Sequence, residues 1–427
     1  MVQDAYRDDQ WYPHPKGHKV IDNVATAART PAAPPAEGRR PRAGFWLTAA
    51  VYMLVMLGGT LPVPLYAFWA PQMGFGPFTT TLVFAVYALG TVLALMVFAS
   101  LSDRAGRRPL LAAALLAAAA STVLFLVAHD VTTLLAARFL CGLSTGVFTA
   151  TATAALGELA GPGRTRRAST VAAVANMGGL GLGTVAAGLF AQYGTDPTHL
   201  VFQVYLAGLV PALVALVITP ETVEHRQRPA LSVRRPTVPG RRPARAEFLR
   251  AATAVLAAFA VSGLFSSLVP SFLREQLHVH NVAAVGAQVG LLFVVALIAQ
   301  VAAPQRWTSG RWPAPGFLIA GVAVFEAGLW MRSLPAFAAG TVLAGAGIGL
   351  AFRRGIQVTQ RLADPHHRAD LLSTYFLAAY TGTIVPTLAL GVLSQALDQD
   401  LATLILAVAV VATTLAAALN RPARTPA

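Results

Sequence analysis

Long apolar stretches separated by short polar ones make up most of the chain, and apolar residues occupy every face of each stretch. A helix of about 20 residues crosses the hydrocarbon layer of a bilayer and satisfies its own backbone hydrogen bonds there. The pattern therefore predicts an all-α integral membrane protein with twelve transmembrane helices. The predicted spans are 44–70, 79–100, 109–128, 131–156, 169–193, 200–218, 248–273, 282–302, 315–331, 334–352, 371–395 and 401–419.

Composition also indicates a membrane protein. Only 12% of the 427 residues are charged, against about 25% in soluble domains, and the mean hydropathy is +0.60. The single cysteine, Cys141, lies in an apolar span and excludes an internal disulfide. Residues 1–43 are polar and rich in Pro and Ala, without the apolar segment of a signal peptide, so we expect a disordered cytoplasmic tail there.

The positive charges fall almost entirely on one side of the predicted bundle. Of the 32 lysines and arginines, all except Arg138, Arg274 and Arg332 belong to segments on the side of the N-terminus. By the positive-inside rule this side is cytoplasmic, so we expect a multi-pass protein of the cell membrane with both termini in the cytoplasm. Anionic lipid headgroups account for the formal net charge of +14, and no nucleic acid partner is expected.

Short motifs recur at a nearly constant offset in the two halves of the chain. GRRP at 106–109 recurs as GRWP at 310–313, LCGLSTG as LAGAGIG, and AAGLFAQ as LALGVLSQ. We therefore expect two pseudo-symmetric six-helix bundles, 44–219 and 248–420, with a linker at 220–247 and a cytoplasmic tail at 421–427. Duplicated bundles favour a substrate path between them, near the bilayer midplane.

The turn after the second span reads LSDRAGRRP. With twelve helices in two halves and a basic central linker, it resembles the major facilitator superfamily of transporters, over residues 44 to about 420. The family signature at this loop is G-x-L-A-D-R-x-G-R-R, and Ala99 stands where its first Gly is usual. The matching positions are Leu101, Asp103, Arg104, Gly106, Arg107 and Arg108.

A second family signature, R-x-x-x-G in the fourth helix, is met by Arg138 and Gly142. A charge at the bilayer centre costs about 2.5–3.5 kcal/mol on insertion scales. We expect Arg138 to face a cavity, where it binds an anionic or polar group or tunes a proton site. The alternative is a structural hydrogen-bond hub.

A third signature, G-x-x-x-G-P-x-x-G-G in the fifth helix, is associated in the family with exporters. Gly179, Gly183 and Gly188 match it, while Thr184 and Ala187 replace the Pro and one Gly. These glycines allow close helix packing, and a bend or a leak seal is the functional alternative. PLYAFW and GFGPFTTTLVFAVYALG, around the first loop, also resemble bacterial drug-exporter-like members.

The charged turn is expected to act as a gate. The resemblance implies that this loop latches the two halves together on the cytoplasmic side, at the eleventh helix. Our hypothesis is that Asp103, Arg107 and Glu158 form part of the latch and that Asp103 caps the next helix. Arg104 and Arg108 can bind carboxylates or lipid phosphates. The alternative is that the arginines only anchor the topology.

Glu326 is the one carboxylate inside a predicted span, where it can cycle a proton or pair with Arg332. The resemblance places the ninth helix in the outer scaffold, and the first helix has no acidic residue, so the proton carrier stays open. The Gly and Pro residues within 58–64 are expected to break the first helix where it lines a cavity. The polar residues expected along the substrate path are Tyr52, Asn176, Gln288 and Tyr380.

These features favour a secondary active transporter: a proton-coupled exporter, or antiporter, of small amphipathic molecules. A proton-coupled uptake symporter and a transport-inactive membrane sensor are the alternatives. An enzyme is not expected, because all nine histidines lie outside the spans and no paired carboxylates lie within them. We expect no cofactor and no metal, the proton gradient as driving force, and a monomer in the lipid bilayer.

Overall fold

The structure is a computed structural model, and it describes residues 39–161, 163–223, 236–362 and 368–419. The N-terminal segment up to residue 38, the middle of the predicted linker and the C-terminal tail lie outside these residues. The segment bounds predicted at 1–43, 220–247 and 421–427 therefore stay predictions.

Twelve membrane-spanning helices are present, as the apolar pattern predicts, and the described residues contain no strand. Short helices, Ala99–Ala105 and Gln305–Ser309, precede the third and ninth spans. The spans are Arg42–Met73, Pro77–Val97, Arg107–Leu126, Val131–Ala160, Thr165–Tyr193, Leu200–Ile218, Arg242–Glu275, Val282–Ala302, Pro313–Trp330, Leu334–Leu362, Asp370–Ala396 and Gln399–Leu419.

Two helices run well beyond their predicted ends. The seventh begins at Arg242 rather than at residue 248, and the tenth continues to Leu362 rather than ending at residue 352. The added turns carry arginines, whose long side chains reach water while the backbone stays helical. An apolar stretch therefore marks the hydrocarbon layer, whereas the helix extends into the headgroup layer.

The first span is broken, as its Gly and Pro residues predict. A regular helix, Arg39–Thr60, ends before Pro62 and is followed by a 3₁₀ turn, Val63–Leu65, and a short helix, Tyr66–Met73. Proline has no N–H with which to continue the helical hydrogen bonds. The carbonyl groups just before the break therefore need other partners.

The two ends of the bundle differ in charge. The basic face is the end where arginines gather, at the segments 98–106, 163–164 and 303–312. The opposite face is the other end, at the turns 74–76, 127–130, 194–199 and 276–281. One cluster of buried apolar side chains comes almost entirely from spans one to six, with Trp69, Phe125 and Phe202 stacked within it. A second, around Phe265 and Phe337, comes mainly from spans seven to twelve. A third joins the seventh and eleventh spans, at Phe248 and Tyr375.

The two halves meet at the opposite face. Gln192 in the fifth span accepts a hydrogen bond from the backbone N–H of Val282, which begins the eighth, over 2.8 Å. Arg274 at the end of the seventh span donates to a carbonyl of the first over 3.3 Å. Gly391 in the eleventh span lies so close to Thr81 in the second that a Cβ there would be 2.0 Å from the threonine Oγ1. These contacts close the opposite face.

Two ion pairs at the basic face each stay within one half. Arg107 pairs with Glu158 in the first half, with Nη2 and Oε1 2.9 Å apart. Arg361 pairs with Glu247 in the second half. These pairs tie helix ends together inside each half, whereas the contacts at the opposite face join one half to the other.

Candidate functional site

Arg138 lies in the fourth span, about two turns from its start, and its side chain is completely buried. Its Nε donates to the hydroxyl of Tyr66 over 2.5 Å, and its Nη1 donates to the carbonyl of Gly59 over 2.9 Å. The guanidinium also lies 5.2 Å and 5.3 Å from the ring centroids of Tyr66 and Tyr87. Ring faces and a carbonyl dipole stabilise the cation where water is absent.

The break in the first span supplies these partners. In an unbroken helix the carbonyl of Gly59 would accept from the N–H of residue 63, but the regular helix ends at Thr60. Arg138 takes the place of that donor, and Tyr66 opens the short helix after the break. Arg138 is therefore the hydrogen-bond hub that sequence analysis gave as the alternative role. Its Nη2 is buried without a hydrogen-bond partner among the described residues, so both N–H donors of this nitrogen are left over.

Asn176 and Tyr52 form a hydrogen-bonded pair between the fifth and first spans. Asn176 lies in a π-helical turn, Val174–Gly178, and such turns are frequent at functional sites. Its Nδ2 donates to the Tyr52 hydroxyl over 2.8 Å and to Thr149 Oγ1 over 3.5 Å. Sequence analysis missed Thr149. It lies about three helical turns after Arg138 and so on the same helix face, which is a signal that could have found it.

Aromatic side chains gather in the second half, on the seventh, tenth and eleventh spans. The ring of Phe259 lies 5.8 Å from that of Phe352 and 5.9 Å from that of Tyr380, and Phe352 lies 6.1 Å from Phe376. These four side chains are only partly buried. Of them, sequence analysis identified Tyr380 alone. We call Phe259, Phe352, Phe376 and Tyr380 the aromatic cluster.

Two other predicted path residues lie inside the second half. Gln288 is buried and donates to Thr341 Oγ1 over 2.8 Å, which joins the eighth span to the tenth. Glu326 is buried near the end of the ninth span, and its Oε2 has no hydrogen-bond partner in the described part of the chain. Oε2 therefore does not pair with Arg332, which was the predicted alternative for Glu326. Neither residue contacts Arg138.

In the charged turn, Asp103 lies inside the short helix Ala99–Ala105, which ends with Arg104 in its last turn. The side chain of Asp103 lies outside the described part of the structure, so the capping predicted for it stays a prediction. The third span begins at Arg107 with Gly106 at its N-cap. Gly106 has φ 107° and ψ 151°, a conformation that residues with a Cβ rarely adopt. The glycine makes the sharp turn but has no side chain with which to cap the helix.

Glu221, just after the sixth span, provides that capping. Its Oε1 accepts from the backbone N–H of Arg107 over 2.9 Å, and its Oε2 from that of Arg108 over 3.2 Å. A carboxylate at a helix N-terminus satisfies free N–H groups and interacts favourably with the helix dipole. Sequence analysis missed this residue, because a partner over a hundred positions away leaves no local pattern.

The charge of Glu221 is stabilised by the same contacts. Burial raises the pKa of the Glu221 carboxyl group, but hydrogen bonds from the backbone N–H groups of Val223, Arg107, Arg108 and Thr222 outweigh it, so the pKa lies below its usual value. The carboxylate form is therefore the one that the folded turn selects.

The hypothesised contact between Arg107 and Glu158 is present. Besides the ion pair, Nε of Arg107 donates to Glu158 Oε2 over 3.4 Å, and its Nη1 donates to Ser102 Oγ over 2.5 Å. Thr222 also donates to Glu158, over 2.5 Å. The contacts described for Arg107 thus join the turn to the fourth and sixth spans of its own half.

The corresponding turn in the second half is tied in a similar way. Nε of Arg311 donates to the carbonyl of Ala418 in the twelfth span over 2.5 Å, and Arg354 donates to the carbonyl of Gly310. The turn before the third span is thus held at the end of the sixth, and the turn before the ninth is held at the end of the twelfth.

The predicted glycines lie at close helix contacts. A Cβ at Gly142 would be 2.1 Å from the carbonyl oxygen of Tyr87, and one at Gly183 would be 2.2 Å from that of Leu57. Gly179 lies one turn earlier against the first span in the same way. A Cβ at Gly188 would be 2.7 Å from the carbonyl oxygen of Val282 in the other half. Gly188 therefore permits contact between the halves.

Twelve spans in two halves, with a buried arginine at a broken helix, define a multi-pass membrane protein. The family model described as Major Facilitator Superfamily matches residues 48–312, more than half of the chain, and the chain belongs to that family. No curated protein sequence matches it.

Several solved transporters share the fold. The human organic anion transporter MFSD10 (TETRAN) is 18% identical with a TM-score of 0.64, over 90% of this chain and 100% of that one. The peptide transporter POT, solved in complex with sulfate, is 15% identical with a TM-score of 0.73, over 88% and 93%. A bacterial homolog of the human lysosomal transporter Spinster, inward-facing and occupied, is 16% identical with a TM-score of 0.63, over 88% and 94%. At this identity the likeness shows the fold alone.

Proposed function

We propose that this chain is a proton-coupled exporter of small amphipathic molecules, which works as a monomer in the cell membrane by alternating access. In this proposal the basic face is cytoplasmic, since arginine-rich turns stay on that side, and the opposite face is extracellular. The likeness of residues 64–90 to drug-exporter-like sequences supports export.

The single observation that carries the proposal is the unused donor of Arg138. A buried polar group without a partner costs about 1–3 kcal/mol, so a substrate that accepts a hydrogen bond from Nη2 gains binding energy that the empty site lacks. A carbonyl, ether or carboxylate oxygen meets this requirement. The substrate therefore carries at least one acceptor group.

The rest of the substrate is apolar or weakly polar. Tyr52 and Asn176 offer neutral hydrogen-bonding groups, and the aromatic cluster offers ring faces from the other half. Pockets of this composition bind ligands with an apolar body and a few polar groups. Tyr52 and Asn176 lie in the first half and the aromatic cluster lies in the second. A substrate that contacts both halves is therefore released when the halves separate.

The proton carrier in this proposal is Glu326. A carboxylate that is buried in lipid without a full set of hydrogen bonds is stabilised by taking up a proton. Glu326 lies near the opposite face, in a span that packs closely against the tenth, where Gly328 meets the backbone of Phe337. A change in its charge therefore acts on the packing of the tenth span, which carries Phe352. One charge moved across 100 mV supplies about 2.3 kcal/mol.

Transport into everted membrane vesicles tests the proposal. We expect vesicles that contain the protein to accumulate a neutral or anionic fluorescent dye with such an acceptor oxygen when the proton gradient is present, and to lose it when an uncoupler is added. Vesicles without the protein set the background, and Glu326→Gln separates the proton step from binding. Accumulation that persists with the uncoupler would exclude proton coupling.

Uptake by proton symport is the second candidate. Thr184 and Ala187 stand in the fifth span where exporters of the family carry Pro and Gly. The same assay in right-side-out vesicles distinguishes the two directions. Accumulation in right-side-out vesicles, with none in everted vesicles, would show uptake instead of export. If neither kind of vesicle accumulated any member of a broad compound panel, a sensor would be favoured.

A further inference from the structure

A cavity of about 340 Å³ lies at the basic face of the first half. It is enclosed by the start of the first span, the end of the fourth and the start of the fifth. Arg138 and the aromatic cluster do not line it. The residues that give it its chemistry are Arg42, Arg164, Arg167, Phe45, Trp46 and Leu159.

The polar part of this cavity is cationic. Three arginines line it, and no Asp or Glu is among its lining residues. Arg167 is held in place because its guanidinium lies 5.6 Å from the ring centroid of Phe45 and 5.4 Å from that of Trp46. The fifth span begins here, with Arg164 at its N-cap and no side-chain cap. A helix N-terminus adds partial positive charge, and together with the three lining arginines it favours an anion.

The apolar part lies one turn deeper along the first span. Arg42 begins that span, and Trp46 follows on the same helix face with 53% of its surface exposed. Tryptophan favours the boundary between headgroups and hydrocarbon. The guanidinium groups therefore lie at headgroup depth and the indole at the depth of the first acyl carbons. This order of charge and apolar surface matches the headgroup and acyl chain of a phospholipid. A free phosphate ion has no apolar part that would contact the indole.

We propose that this cavity is a binding site for the phosphodiester headgroup of an anionic phospholipid such as phosphatidylglycerol. The arginines bind the phosphate oxygens, and an acyl chain lies against Trp46. Basic pockets between transmembrane helices bind acidic headgroups in this way. A lipid seated there bridges the first, fourth and fifth spans, which also carry Tyr52, Arg138 and Asn176.

Lipid retention tests the site. The protein is purified in detergent, titrated with dioleoylphosphatidylglycerol, dioleoylphosphatidylcholine or inorganic phosphate, and bound lipid is counted by native mass spectrometry. We expect phosphatidylglycerol to bind and Arg42→Gln/Arg164→Gln/Arg167→Gln to bind it about a hundredfold less tightly. Each arginine near a headgroup contributes about 1 kcal/mol to the free energy of lipid binding. A difference of about 1.4 kcal/mol corresponds to a tenfold change in affinity, so the loss of all three arginines accounts for the expected effect.

A matched control keeps the change in charge the same. Arg241→Gln/Arg242→Gln/Arg245→Gln removes three exposed arginines from the start of the seventh helix, at the same face, and none of them lines this cavity. We expect this variant to retain phosphatidylglycerol. Equal loss in both variants would mean that only the general charge of the face attracts lipid, and would overturn the site. Equal binding of inorganic phosphate by the wild type, with no preference for the lipid, would also overturn it.

Tryptophan fluorescence tests the site in the wild-type fold. Brominated acyl chains of phosphatidylglycerol quench the fluorescence of an indole only when the bromine atoms lie beside the ring. We expect more quenching in the wild type than in Trp46→Phe, and no such difference with brominated phosphatidylcholine. An identical quenching curve for the two proteins would contradict the placement of the acyl chain, whatever the stability of the arginine variants.

Discussion

Arg138 donates a hydrogen bond from Nη1 to the backbone carbonyl of Gly59, 2.9 Å away, across the break in the first span. The regular helix of the first span ends at Thr60, so the carbonyl of Gly59 lacks the helical N–H donor that it would otherwise use, and a cation from another helix replaces that donor. The fourth span and the broken part of the first are therefore held by one side chain. That side chain also keeps Nη2 unpaired among the described residues.

Arg138→Lys should reduce transport at least tenfold. A lysine ammonium is a single point of charge and cannot serve Tyr66, Gly59 and a substrate at once. Lost hydrogen bonds should lower the free energy of unfolding by roughly 1–2 kcal/mol. Transport into vesicles, normalised to the amount of folded protein, measures the first effect, and thermal unfolding in detergent measures the second.

Tyr66→Phe is the control for this prediction. It removes the hydrogen bond to Nε but keeps the aromatic ring, the bond to Gly59 and the free Nη2. We expect a smaller loss of stability than in Arg138→Lys, with transport within about threefold of the wild type, since hydrogen bonds in membranes average less than about 1 kcal/mol. If Arg138→Lys transports as well as Tyr66→Phe does, Arg138 is a structural hub only.

The pair of Tyr52 and Asn176 should act as one unit in substrate binding. Tyr52→Phe removes the hydroxyl that Asn176 uses over 2.8 Å, and Asn176→Ala removes the other partner. Each should raise the apparent KM about tenfold, and the double variant should be no worse than the more affected single one, because coupled groups are not additive. Additive effects on KM in the double-mutant cycle would mean that the two residues act separately.

The fold was largely predictable from the sequence, because lipid imposes one strong rule on the chain. Twelve apolar stretches of sufficient length specify twelve helices, and the Gly and Pro residues at 58–64 mark the break in the first. The ends were harder to predict. Helices such as Arg242–Glu275 continue past the hydrocarbon layer, where arginines are tolerated and the apolar pattern no longer marks the helix.

The site was predictable in part. Arg138, Tyr52 and Asn176 stand out as polar groups in apolar spans, so the sequence identifies them. Their partners are carbonyls and hydroxyls on other helices, and helix packing alone decides which ones. Glu221 is the clearest example of a residue whose role could not be predicted from the sequence. It acts as a cap because the sixth span ends beside the turn at Gly106.

Gly188→Val should open the opposite face. Any Cβ at this position meets the carbonyl oxygen of Val282 at 2.7 Å and the Cα of Ala283 at 3.1 Å, and a backbone cannot move aside as a side chain can. We expect the closed state to lose about 1–3 kcal/mol, which is a tenfold or larger shift in population. A cysteine at Thr81, in a Cys141→Ala background, should then react faster with a maleimide.

Gly316→Val is the matched control, because nothing lies within 4 Å of a Cβ at that position. Its labelling rate at Thr81→Cys should equal that of the parent. An unchanged rate in Gly188→Val as well would show that the contact between the fifth and eighth spans does not hold the opposite face closed.

Glu221→Gln should remove a stabilising contribution that depends on pH. Because the pKa of Glu221 is lowered in the folded protein, its carboxylate stabilises the fold above the ordinary carboxyl range, and this stabilisation is lost as pH falls through the lowered pKa. We expect about 1 kcal/mol at neutral pH, with the partial exposure of the group taken into account. Unfolding temperatures from pH 7 to pH 3 should converge for the two proteins at the acid end, and parallel curves would contradict the assignment.

Reciprocal movement of the two faces is the most direct test of transport by alternating access. Spin labels at Gly157→Cys and Gln360→Cys report the distance across the basic face, and labels at His129→Cys and Asp398→Cys report the distance across the opposite face, both in a Cys141→Ala background. When a transported dye is added or the pH is lowered, the first distance should shorten while the second lengthens. Two distances that stay constant, or that change in the same direction, would contradict the account.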